Sequence, residues 1–271
     1  MVDNNKYMIK EIKFALYVIK KNIQSSIELR SSFLLNVFGM AINDTAFIIL
    51  WVYFVKSVGV VGGWTTYDII GMLGISALTF GIVYTTCYGL FKLPDNVASG
   101  SFDRFMLSPK NILIRTATSA IEVAAVGDML FGIICICIYG FLIHITLMQM
   151  ILILILIFFT SIVFLSFMII IYSLSFYFID ANVITNGIFQ LFNTPTLFHG
   201  GAFQGALRFV FTFIIPSLLI SAIPLETIKN TSYRSLFMII ILSFVWLFIA
   251  IKFFNISIKK YESSNFMTFG N

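Results

Sequence analysis

The chain has 271 residues, of which 11% are charged and 59% apolar, with a mean hydropathy of +1.00. A soluble domain carries about a quarter charged residues, so water is not the main solvent of this protein, and one membrane domain fits better than two soluble ones. The net charge of +5 calls for no nucleic acid, because Lys and Arg in a membrane protein collect in cytoplasmic loops facing anionic lipid.

In chain order, residues 1–31 come first. They hold six Lys or Arg and no short cleavable apolar core, so they are expected to remain in the mature chain. At 100° per residue, Met8, Ile12, Leu16, Ile19, Ile23 and Ile27 form one stripe, and Lys6, Lys10, Lys13, Lys20 and Lys21 fall opposite. That pattern predicts an amphipathic helix lying in the membrane interface; the alternative is a solvated helix packed on a partner.

Residues 32–257 are read as six membrane-spanning helices. The first runs from about Phe33 to Val55, followed by a turn at Lys56, Gly59, Gly62 and Gly63, and the second from about Tyr67 to Phe91. The polar interval 92–115 comes next, with Ser108 before Pro109 reading as a helix start. The third span, about Ile121 to Leu142, and the fourth, about Met150 to Ile179, leave room only for a very tight turn at His144. The segment Asp180 to Arg208, with Asn186, Asn193, Pro195, His199, Gly200 and Gly201, reads as bent and interfacial. A fifth span is expected from about Phe209 to Ile223, between Pro216 and Pro224, and a sixth from about Leu236 to Phe254. Residues 258–271 form a tail.

Fourteen of the seventeen Lys and Arg then fall on one side, and Lys56, Lys229 and Arg234 on the other. An even number of spans with both termini in the cytoplasm satisfies the positive-inside rule.

Little in the chain points to catalysis. Cys87, Cys135 and Cys137 lie in apolar stretches without ligand spacing and are read as reduced packing residues. His144 and His199 are assigned to opposite sides and cannot share a site. There is no G-x-x-x-x-G-K-[ST] loop to cradle nucleotide phosphates, so the chain does not hydrolyse ATP alone. Most of the 31 Phe serve lipid or packing, and Trp51, Trp64 and Trp246 read as interfacial or packing anchors. Asp44 in the middle of the first span, and Glu122 and Asp128 entering the third, have no Lys or Arg at comparable depth. Carboxyl groups at such depth face a cavity or a partner, or hydrogen-bond across a helix interface.

Four stretches carry a resemblance. Gly63-Trp64-Thr65-Thr66-Tyr67-Asp68 looks like a G-W-x-x-[YW]-[DE] entry to a span. Gly100-Ser101-Phe102-Asp103-Arg104-Phe105-Met106-Leu107-Ser108-Pro109 is similar to a G-x-L-D-x-x-L-x-x-P loop, with Ser108 where a basic residue is usual. Asn193 to Phe198, with Asn-Thr where Arg-Tyr is common before Pro195, and Phe213 to Pro224 with its two prolines complete the set. Together they resemble the six-span permease subunits of bacterial ABC-2 type transporters, an all-α integral membrane fold of the type V exporter kind, with an N-terminal interfacial helix and a cytoplasmic coupling helix.

The resemblance implies a permease in the bacterial plasma membrane that pairs with itself or a homologous permease and binds a separate nucleotide-binding ATPase, which supplies ATP and Mg; this chain itself needs no cofactor and no metal. It further implies that the 92–115 loop docks on that ATPase through Val97, Phe102, Asp103, Arg104, Phe105, Met106 and Leu107. The first, second and fifth spans would line the path, making Asp44, Tyr67, Tyr84 and Pro216 path candidates, with Asp128 as a further one. The cargo implied is an amphipathic compound such as a drug, antimicrobial peptide or lipid. The alternatives are a stand-alone channel or ion-coupled secondary transporter using Asp44 and Asp128 as ion sites, and a membrane assembly or sensing protein without cargo.

Overall fold

A computed structural model describes residues 2–58, 63–178 and 180–262. The expected turn at Gly59 and Gly62, the tail beyond residue 262, and the side chains of Lys6, Met8 and Lys56 lie outside what is described.

The described chain is all-α. The N-terminal helix α1 (Val2–Glu28) leads into α2 (Arg30–Val58), and α3 (Thr66–Cys87) returns. Three short helices follow, α4 (Leu93–Ala98), α5 (Asp103–Met106) and α6 (Ile112–Ala117). Then come α7 (Ala125–Leu142), α8 (Leu147–Ser173), α9 (Ala181–Thr196), α10 (Gly205–Phe209), α11 (Ala222–Lys229) and α12 (Tyr233–Ser257). Among the described residues, five helical stretches are long and apolar enough to cross a membrane: those built on α2, α3, α7, α8 and α12.

Local chemistry sets the starts. At α3, Thr65 and Asp68 cap each other reciprocally, and Thr146 and Gln149 do the same at α8, satisfying amide groups that the first turn leaves free. The His144 turn is as tight as expected: His144 adopts φ 50° and Ile145 N–H donates to the Gly140 carbonyl at 2.9 Å. The helix expected to start at Ser108 starts instead after Asn111, whose side chain accepts from Ile114 N–H at 3.2 Å. Glu11 of α1 takes the Asn111 N–H at 3.2 Å and pins the start there.

α3 runs against α7, and α8 against α12. Glycines allow the first pairing: a Cβ on Gly132 would stand 2.8 Å from the Gly74 carbonyl oxygen, and one on Gly74 would stand 2.9 Å from Cys135 Cβ. Close backbone approach over small residues is the main attraction open to helices in lipid.

The fifth crossing departs from expectation. α9 begins beside α4, where the Asn182 amide donates to Asp95 at 2.7 Å, and ends at the opposite end of the bundle. There Phe198 meets Trp51 and His199 meets Trp64. Sixteen helical residues span about 24 Å, so α9 joins the two ends. Phe209 to Ile223 makes no continuous helix: α10 passes into a π turn at Val210–Ile214, the chain reverses, and α11 begins at Ala222. Leu218, Leu219 and Ile220 are fully buried, and the Ile220 carbonyl accepts from Ser76 at 3.3 Å. Ser76 stands about 15 Å along α3 from its first residue, so this segment dips into the bundle and returns.

Two ends result. The near end holds α1, the 92–115 segment and the last turn of α12; the far end holds Trp64, His144, His199 and α11. Arg208, expected with the basic side, lies at the far end bonded to Glu226.

Candidate functional site

A cavity of about 330 Å³ lies within the bundle between α2, α3, α7 and α9. Its position follows from one residue without a side chain. A Cβ on Gly127 would collide with the Val37 carbonyl and approach Met40 Cβ at 2.9 Å, so glycine there lets α2 close on α7. Asp44, two turns further along α2 than Val37, then meets Asp128, the neighbour of Gly127. The two carboxyl groups are in hydrogen-bonding contact. Asp128 is 7% exposed, and Asp44 Oδ2 is sealed from solvent with no N–H or O–H donor on it.

The remaining wall is mostly aromatic and amide: Phe47, Phe80, Tyr84, Phe131 and Phe189, with Asn43, Ser76 and Asn193. None of the lining residues is Lys, Arg or His. Of the five path candidates, Asp44, Tyr84 and Asp128 line this one cavity. Tyr67 is half exposed at the start of α3, and Pro216 is buried in the re-entrant segment; neither is among the lining residues. Glu122 stays outside too, its backbone N–H donating to the Tyr84 carbonyl at 3.1 Å. Sequence reasoning missed Phe189, Asn193 and Thr196, because α9 was read as interfacial. Their i, i+4, i+7 spacing on one helical face was the available signal.

Two clasps hold the ends. At the far end, Asp68 accepts from Thr65 N–H and Oγ1–H and from Lys229 Nζ at 2.7 Å, and Lys229 also donates to the Gly63 carbonyl. His199 packs beside Trp64 with its Nδ1 unpartnered, and burial pushes its pKa below the ordinary 6.5.

At the near end, the 92–115 segment and the turn just after it are fastened from three sides. Tyr261 donates to Asp103 at 2.8 Å, Lys110 pairs with Glu11 of α1, and Asn22 donates to the Thr118 carbonyl at 3.0 Å. Phe102 is fully buried against Phe105, Phe176 and Tyr261, and Phe105 is 4% exposed. These two rings, expected to face outward as docking anchors, are turned into the chain's own core, and Val97 is half-buried against it. The outward apolar groups are Met106 and Leu107, the latter 87% exposed, with Arg104 beside them.

The three cysteines are free thiols. Among the described residues, no group of three or more His, Cys, Asp or Glu is placed to hold a metal, and no catalytic motif is found.

An all-α bundle of long apolar helices around an internal cavity defines a membrane permease-type protein. The family model described as ABC-2 family transporter protein matches residues 41–265, and the chain belongs to that family. Comparison with curated proteins and with solved structures gives no match.

Proposed function

We propose that this chain is the permease subunit of an ABC exporter that moves an amphipathic compound outward, driven by ATP hydrolysis in a separate nucleotide-binding subunit. The observation that carries the reading is the near-end segment: short helices exposing Met106 and Leu107, braced by buried Phe102 and by Tyr261 on the end of α12. A rigid, exposed apolar knob suits a partner that pushes on it, and its fastening to α1, α8 and α12 would carry that push into the bundle. Docking then rests on Met106, Leu107 and Arg104, while Phe102 and Phe105 transmit.

The near end is accordingly the cytoplasmic one, in a bacterial plasma membrane, with six crossings once α9 is counted. The bare apolar stripe of α1, with Ile12, Leu16 and Ile27 all exposed, suits lipid, since the helix meets the rest of the chain through Glu11 and Asn22 instead. The long α2 is hardly covered by its own chain, and leaves room for a second permease, of the same or a homologous kind, closing the cavity. The re-entrant 215–221 segment stands between the cavity and the far end and would have to yield for cargo to leave.

Affinity purification in mild detergent, with mass spectrometry and an ATPase assay on the eluate, tests this reading. A soluble ATPase in about equal amount is expected, lost from Met106→Glu with Leu107→Glu while the permease still inserts. A preparation without ATPase, even after crosslinking at residues 92–115, would overturn it. That outcome would favour an ion-coupled secondary transporter, the reading to which the Asp44–Asp128 contact otherwise lends support.

A further inference from the structure

Asp44 and Asp128 stand together on the wall of one cavity, and a carboxyl group that gives up its proton there leaves a negative charge facing the space. Among the described residues, no basic side chain stands there to answer it. The cavity lining holds no Lys, Arg or His, and Asp44 Oδ2 has no donor. The ion pairs of the described residues are spent elsewhere, at Lys110–Glu11, Arg208–Glu226 and Lys229–Asp68.

The rings around the pair, Phe47, Phe80, Tyr84 and Phe131, add to the same preference, because aromatic faces carry negative potential and attract cations. A divalent metal is a poor fit: Ca²⁺ takes six to eight oxygens and Mg²⁺ a near-octahedral set, whereas only two acidic groups converge here. A singly charged cation with an apolar body matches both the charge and the wall, and a space of about 330 Å³ is within the range of small-molecule sites.

Resting on the permease reading, we propose that this cavity selects monovalent organic cations with an apolar body, the charged group seated at Asp44 and Asp128 and the body against the rings. The class includes hydrophobic amines and quaternary or phosphonium cations. Neutral and anionic amphiphiles of the same shape are disfavoured.

The test compares two probes on the purified permease–ATPase complex in lipid nanodiscs: radiolabelled tetraphenylphosphonium, and triphenylphosphine oxide as a neutral molecule of related shape. Saturable binding of the cation is expected, about tenfold or more tighter than the neutral probe, each tenfold step corresponding to about 1.4 kcal/mol. Asp44→Asn combined with Asp128→Asn should abolish the preference for charge and leave the neutral probe unchanged, while Asp44→Glu retains it. Equal affinity for both probes, or an unaltered preference in the folded double variant, would overturn the proposal. The two-probe comparison on the unaltered protein decides the matter even where a variant fails to fold. Cation binding to a preparation that never captures an ATPase would strike the permease reading alone; an ATPase-bearing complex indifferent to charge would strike the cation site alone.

Discussion

Asp68 and the Asp44–Asp128 pair are acidic groups withdrawn from water in the same bundle, and the chain surrounds them in opposite ways. Asp68 sits at a helix start, receives two hydrogen bonds from Thr65, and is met by Lys229 from a helix 161 positions along the chain. Its partners are built in. Asp44 and Asp128 lie deeper and have each other, aromatic rings and amides, but no cation. A buried carboxyl group with every lone pair addressed fastens structure; one whose charge is left for something else to meet belongs to binding.

That contrast can be broken from either side. The largest effect is expected at the far end. Asp68→Ala removes the cap of α3 and leaves Lys229 without its acid, at a cost of roughly 3 kcal/mol, read as a lower midpoint of thermal unfolding in detergent. Lys229→Met should cost less, roughly 1–2 kcal/mol, because the lysine side chain is 42% exposed and the Thr65 bonds persist. If Asp68→Ala melts with the parent protein, the clasp is not structural.

In the cavity the expectation reverses. Asp128→Asn keeps the shape, supplies N–H donors to Asp44 and removes a carboxyl group from an apolar site. Stability should therefore change by less than about 1 kcal/mol or rise, and with Asp44→Asn added transport is lost. A variant that unfolds as readily as Asp68→Ala would place the pair among the structural groups.

The smallest effect is at His199. Burial lowers its pKa below 6.5 in the folded protein, so the folded state binds the proton less readily than the unfolded one. The stability this group contributes is full above about pH 6.5 and is lost as pH falls through the folded value. The facing groups are Trp64, just ahead of α3, and the Arg208–Glu226 pair beside Gly200. The unfolding midpoint should drop between pH 7 and pH 5 by a few degrees more in the parent than in His199→Gln, and identical pH profiles would remove His199 from the explanation.

Sequence reading went furthest where a segment's fate is decided by its own residues. Apart from Phe209 to Ile223, the long apolar runs form helices of crossing length, and their observed starts lie within a few residues of expectation except at α7, where Ile121 to Ala124 precede the helix. The His144 turn followed from its shortness, and Asp44 and Asp128 from their depth, although only the close approach at Gly127 puts them in contact. What failed depended on neighbours. α9 carries Asn182, Asn186 and Asn193 and only sixteen residues, so hydropathy alone hid a helix whose second half lines a cavity through Phe189, Asn193 and Thr196. Phe209 to Ile223 was apolar enough for a span because it is buried in protein, which composition does not distinguish from burial in lipid. The four-residue helix α5 offered no periodicity from which to tell inward Phe102 from outward Leu107.

On the reading proposed above, the Asp44–Asp128 cavity is the route of an ATP-driven permease. It is tested most directly by ATP-dependent uptake of tetraphenylphosphonium into inside-out vesicles carrying the chain with its co-purifying ATPase. Uptake that needs ATP, falls at least about tenfold when Asp44→Asn and Asp128→Asn are combined, and leaves ATPase capture intact is the expected result. Uptake that persists unchanged in that double variant, or that proceeds without ATP, would contradict it.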